Sequence, residues 1–178
     1  SNPVPLAALP AKLEETSGLY LFRDGVLSHN DSGGEPVIYK IDTANGQLLQ
    51  QIRINNAKNR DWEGLDTFMW HNRPMILIAD VGDNHQQFGK YTLYVVEEPQ
   101  LDDERLDPST VIEVAWQIDF IYPDRNHDAE GVAVDLHQGE VLILTKRDDP
   151  PRLFVLPLRA TSTGQLSVAR PVATVDQI

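Results

Sequence analysis

One short acidic pattern occurs three times: Glu15-Thr16-Ser17-Gly18-Leu19, Asp61-Trp62-Glu63-Gly64-Leu65 and Asp128-Ala129-Glu130-Gly131-Val132. Each reads acid, any residue, Ser or Glu, Gly, aliphatic. In an extended strand, residues two apart share a side. Glu15, Asp61 and Asp128 would therefore form one layer, with Ser17, Glu63 and Glu130 in a second. Gathered carboxylates repel unless they are protonated or bridged by a cation. Ca²⁺, which takes 6–8 oxygen ligands, suits such a cluster. Glu63 and Glu130 are read as ion ligands. The outer acids Glu15, Asp61 and Asp128 are read as acceptors of backbone hydrogen bonds that lock neighbouring segments together.

A second set of candidates lies in the loops that follow. The first segment offers His29, Asn30 and Asp31, and the second offers Asp80, Asp83, Asn84 and His85. Asp31 and Asp80 complete the expected metal ligands, while Asn30, Asp83 and Asn84 are expected to contact a ligand. Asn and Asp are also the default turn residues. The third segment places Lys146-Arg147 there, followed by Asp148-Asp149. This pair could hold a phosphate or carboxylate of a ligand, or form salt bridges with the nearby acids. His29 and His127 stand beside the same presumed mouth, and either could act as general base on a metal-bound water. Residues 124–130 carry oxygen donors at alternate positions, but they lack the sixth-position glycine and terminal glutamate of an EF-hand. No Gly-x-Ser-x-Gly elbow, His-Glu-x-x-His helix, phosphate loop or dinucleotide fingerprint occurs, which disfavours serine-nucleophile and nucleotide-cofactor chemistry.

The elements that would position these groups are short strands. Apolar residues alternate at period two throughout, the signature of half-buried strands rather than helices. Pro36–Ile41 and Leu48–Ile54 flank Thr43-Ala44-Asn45-Gly46, a strong turn signal. Thr110–Phe120 follows an acidic insertion around Leu101–Pro108. The motif returns from Gly18 to Gly64 and, across that insertion, to Gly131, near the roughly 40–50-residue spacing of blade repeats. The expected fold is an all-β propeller of three four-stranded antiparallel blades, half of a six-bladed ring. A lead-in would span 1–13, with blades over 14–55, 56–121 and 122–178 of a single partial domain. Because propellers need about 4–8 blades to close, the expectation is either a homodimer pairing two half-rings or a missing C-terminal half.

Composition narrows the partners. Of 178 residues, 27 are acidic and 15 basic, a net charge of −12. Nucleic acid and anionic membranes are disfavoured by charge, whereas cations would be attracted. No apolar run approaches the roughly 18 residues of a membrane span, and the absence of cysteine excludes disulfides and thiolate zinc sites. The opening Ser1-Asn2 reads as an expression remnant. A periplasmic or extracellular address is expected, and a cytoplasmic one stays open.

His29-Asn30-Asp31-Ser32-Gly33-Gly34 leading to Ile38-Tyr39-Lys40-Ile41-Asp42 resembles the first blade of a group of bacterial six-bladed propellers. Asp61-Trp62-Glu63-Gly64, Ile78-Ala79-Asp80-Val81-Gly82-Asp83-Asn84 and Asp128-Ala129-Glu130-Gly131 resemble later landmarks of that group. The chain is similar to the SdiA-regulated and phytase-esterase-like families, and more distantly to calcium-dependent lactonase propellers. The resemblance covers about half of a full member and implies a polar, often calcium-occupied axial mouth. Two functions are expected from these residues. One is metal-assisted hydrolysis of a small ester, lactone or phosphoester. In that scheme Asp31, Glu63, Asp80 and Glu130 hold Ca²⁺ while His29 or His127 moves the proton. The other is a non-catalytic ligand- or protein-binding module in which any metal is structural.

Overall fold

In the computed structural model, residues 8–22, 25–99, 109–159 and 164–174 are described. The acidic insertion at 101–108 and the first seven residues of the lead-in lie outside them. The strands are β1 (Thr16–Phe22), β2 (Gly25–Asn30), β3 (Val37–Asp42), β4 (Leu48–Asn55), β5 (Trp62–Trp70), β6 (Arg73–Asp80), β7 (Tyr91–Glu97), β8 (Ser109–Ile121), β9 (Ala129–Asp135), β10 (Glu140–Thr145), β11 (Arg152–Pro157), β12 (Ser167–Val168) and β13 (Arg170–Thr174). The all-β expectation fits this order. Among the described residues no helix is long and apolar enough to cross a membrane.

Alternation explains the layering. In β6, Met75, Leu77 and Ala79 face one core, together with Leu93 and Val95 of β7 and with Val141, Ile143 and Phe154 of the later strands. Ile76 and Ile78 face the opposite core, against Leu27, Ile38, Ile52 and Ile54 of the earlier strands. β6 and β7 are thus buried on both faces, which requires near-continuous apolar runs. A third, smaller cluster packs Leu13 of the lead-in onto Val37, Tyr39 and Ile41.

The three-bladed propeller, and with it the half of a six-bladed ring, is not what forms. The first eight strands make one mixed sheet in the order β1-β2-β3-β4-β8-β7-β6-β5, with β12 attached to β8. A separate antiparallel sheet has the order β13-β11-β10-β9. The join is a parallel ladder from Gln51↔Ser109 to Asn55↔Glu113. Its cause is the length of β8: thirteen residues against seven in β7. Residues 114–120 supply the pairing with β7, and the remaining N-terminal stretch has backbone groups that need partners. The open edge of β4 supplies them. Gln50 Nε2 donates to Thr110 Oγ1 at 2.7 Å, and Asn55 Nδ2 donates to Glu113 Oε1 at 2.8 Å, which fixes the register. The terminal strands β1 and β5 approach each other, so the sheet curls towards closure.

Candidate metal centre

The three acidic motifs share one local construction. Each sits where a first strand meets a second, and an amide at the end of that second strand closes the hairpin onto the motif's acid. Asp31 N donates to Glu15 O, Gly82 N to Asp61 O and Lys146 N to Asp128 O, at 2.7, 3.1 and 2.9 Å. Each hairpin also carries a register shift, with Gly18, Glu63 and Glu130 as the inserted residues. A bulge re-aims the side chain it inserts. At β5 it separates the wholly buried Trp62, whose indole N–H donates to Lys58 O at 2.8 Å, from Glu63, which is only partly buried.

These local features bring Asp31, Asp61 and Glu63 together, with one carboxylate oxygen from each lying within 4.8 Å of the others. Asn59 is the clamp. Its Nδ2 donates to Asn30 O and Asp31 O at 3.0 and 2.8 Å, while its Oδ1 accepts from Trp62 N at 3.1 Å. Asp31 is thereby tied to the start of β5. Gly82 forms the floor, since a Cβ there would fall 2.6 Å from Glu63 Oε1 and closer still to Asp61 Oδ2. Only a residue without a side chain leaves room for both carboxylates.

The electrostatics follow from that crowding. Burial, then Asp31, Asp128 and Asp80, pushes the Asp61 carboxyl up to about 6. Burial, then Asp31, Asp61 and Asp128, pushes Glu63 up to about 7, with Lys146 opposing. Asp31 Oδ1 accepts from Ser32 N at 2.7 Å. Among the described residues, no amide, hydroxyl or cationic side chain donates a hydrogen bond to the Asp61 or Glu63 carboxylate. Three carboxylates so arranged can supply three to six of the oxygens a calcium ion requires, leaving room for waters. This chemistry also admits magnesium, through fewer carboxylates and more water.

The other expected site residues have different surroundings. Asp80 lies next to the triad, but its Oδ1 accepts from Asp61 N at 2.8 Å and Arg60 Nε stands 3.9 Å away. Burial raises its carboxyl above the ordinary range, and Arg60 and these amide bonds oppose the rise. Glu130 is 43% exposed and pairs with Lys146. Arg147 Nε donates to Asp128 Oδ2 at 2.7 Å, and its Nη2 donates to Asn84 Oδ1. Asp83 is fully buried, accepting from Gln87 N, Phe88 N and Tyr91 Oη. Asn30 Nδ2 donates to Lys12 O at 2.9 Å.

Both histidines are fully buried. His29 Nδ1 lies 3.0 Å from Asn30 O, and its ring packs edge-on against Trp62. Burial lowers its pKa, against the Asn30 carbonyl and Asp31. His127 is held at both nitrogens. Nδ1 lies 2.7 Å from Asp148 Oδ2 and Nε2 lies 3.1 Å from Asp124 Oδ1, with Tyr122 and Phe154 against the ring. Asp61, read from the sequence as a structural acceptor, stands inside the triad. Its placement two residues before Glu63 was the available signal. The roles of Asn59 and Gly82 were not signalled, because Asn59 reaches back to Asn30 and Asp31 and Gly82 lies under Asp61 and Glu63, all about twenty or more residues away.

No family model matches this chain, and no curated protein matches it. Among solved structures it is similar to the crystal structure of the computationally designed Ika4 protein. That likeness covers 98% of this chain and 81% of the other, at 14% identity and a TM-score of 0.44. At those values it carries no argument about fold or function.

Proposed function

We propose that Asp31, Asp61 and Glu63 bind a divalent, oxygen-preferring cation, and that the protein is a binding module whose loops this ion organises. The observation that carries this reading is a set of three carboxylates within 4.8 Å, two of which accept from no amide, hydroxyl or cationic side chain among the described residues. Charge gathered in this way is stabilised by a cation or by protons. An ion there would tie the end of β2, next to one edge of the large sheet, to the start of β5 at its other edge. Calcium is the first ion to test, on its coordination number and its preference for carboxylate oxygens. The hydrolytic reading draws less support from the geometry, because His29 and His127 are both buried and His127 is bonded at each nitrogen.

Calorimetric titration with Ca²⁺ and Mg²⁺ at pH 8 tests the proposal. Wild type should bind one ion, and Asp61→Asn and Glu63→Gln should each abolish or strongly weaken it. Glu130→Gln should leave it intact. Wild-type protein that takes up neither ion would end the proposal.

A further inference from the structure

The opposite end of the β5–β6 hairpin, at the Trp70↔Arg73 pair, carries a second and chemically different feature. A cleft of about 430 Å³ opens there, lined by Trp70, His71, Arg73, Glu97, Trp116 and Arg159. The indoles of Trp70 and Trp116 stand 5.6 Å apart at 53°, and His71 meets Trp70 edge-on at 5.0 Å. Both indoles are only partly buried. Large aromatic surfaces left partly open in a concave site provide apolar contact at low conformational cost.

The charge of the cleft runs against that of the protein. Within a chain of net charge −12, it holds two guanidiniums and one carboxylate. Arg73 Nη1 pairs with Glu97 Oε2 at 3.2 Å. Arg159 has no carboxylate partner among the described residues. Its guanidinium lies 5.3 Å from the centre of the Trp116 ring. Trp116 is itself anchored, donating its indole N–H to Leu158 O at 3.0 Å. That bond holds the residue before Arg159, so the cation is stationed beside the aromatic pair by backbone and by cation–π attraction. A planar guanidinium with open donors recognises a carboxylate through two parallel hydrogen bonds.

We infer that this cleft binds a small aromatic carboxylate, the ring lying against Trp70 and the carboxylate on Arg159. The inference is independent of the cation site, which lies at the other end of the same hairpin. Its test is a titration of the full chain with benzoate, followed by NMR of the tryptophan indole N–H groups. Trp62 serves as the internal control, being wholly buried with its N–H bonded to Lys58 O. Benzoate should move the Trp70 and Trp116 signals and leave Trp62 unmoved. Benzyl alcohol should bind at least about tenfold more weakly, and Arg159→Gln should weaken benzoate by a similar factor. Arg159 is exposed, so this variant should keep the wild-type melting temperature. The inference is overturned if benzoate moves neither signal, if benzyl alcohol binds equally well, or if Arg159→Gln has no effect.

Discussion

Two groups of acids lie side by side in this protein and are built on opposite principles. In the first, Asp83, Asp128 and Asp148 have a donor on each of their six carboxylate oxygens. Gln87 N, Phe88 N and Tyr91 Oη serve Asp83; Asp83 N and Arg147 serve Asp128; Arg125 and His127 serve Asp148. In the second, Asp61 and Glu63 have no such donors among the described residues and sit against Asp31. Negative charge and at least partial burial are common to both groups. The difference is hydrogen-bond satisfaction, which separates acids that hold loops in place from the acids proposed above to bind a cation.

The largest expected effect comes from emptying the satisfied group. Asp83→Ala would strand two backbone amides and the Tyr91 hydroxyl in a buried setting. A loss of about 3–5 kcal/mol in urea denaturation is expected. Glu63→Gln, measured without added ion at pH 8, should cost nothing and should raise the midpoint, since it removes a repelled charge. If both variants lost stability equally, the distinction between the two groups would collapse.

Gly82→Ala should come next. Its methyl group would press on the Asp61 and Glu63 carboxylates. A cost of about 1–3 kcal/mol, typical of overpacking, is expected together with loss of ion binding. A variant that bound calcium normally would show that the triad does not close over Gly82 as described.

Folding raises the Asp61 and Glu63 pKa values to about 6 and about 7. A raised folded-state pKa means that the folded protein binds more protons than the unfolded chain. The contribution is therefore fully present below the ordinary carboxylate range and is lost as pH rises through about 7. Melting temperatures without ion should fall over that interval, and saturating Ca²⁺ should flatten the decline. A decline that calcium leaves unchanged would assign it to other groups. The smallest effect should belong to Glu130→Gln, which removes an exposed pair with Lys146 and should change stability by under about 1 kcal/mol.

The strands were legible because period-two alternation is a local signal. Pro36–Ile41 and Leu48–Ile54, read from the sequence, are close to the observed Val37–Asp42 and Leu48–Asn55. Their assembly was not legible, because alternation assigns a face but not a neighbour. The apolar alternation at Thr110–Phe120 reads as one strand of one unit. The observed β8, thirteen residues long against a usual five or six, has room for two partners, and β4 takes the second. Asp31 and Glu63 stood out through their motifs. Asp80 was read as an ion ligand and Asp83 as a ligand contact, yet their oxygens accept from amides of Asp61, Gln87 and Phe88. Ligand and turn anchor share a residue type, and the folded placement of backbone amides tells them apart.

Diffraction from crystals grown with calcium tests the carboxylate triad directly. An ion bound by Asp31, Asp61 and Glu63 oxygens at about 2.3–2.6 Å is the predicted result. Calcium bound elsewhere, or water alone between these three side chains at saturating ion and pH 8, would show that Asp31, Asp61 and Glu63 do not form a cation site.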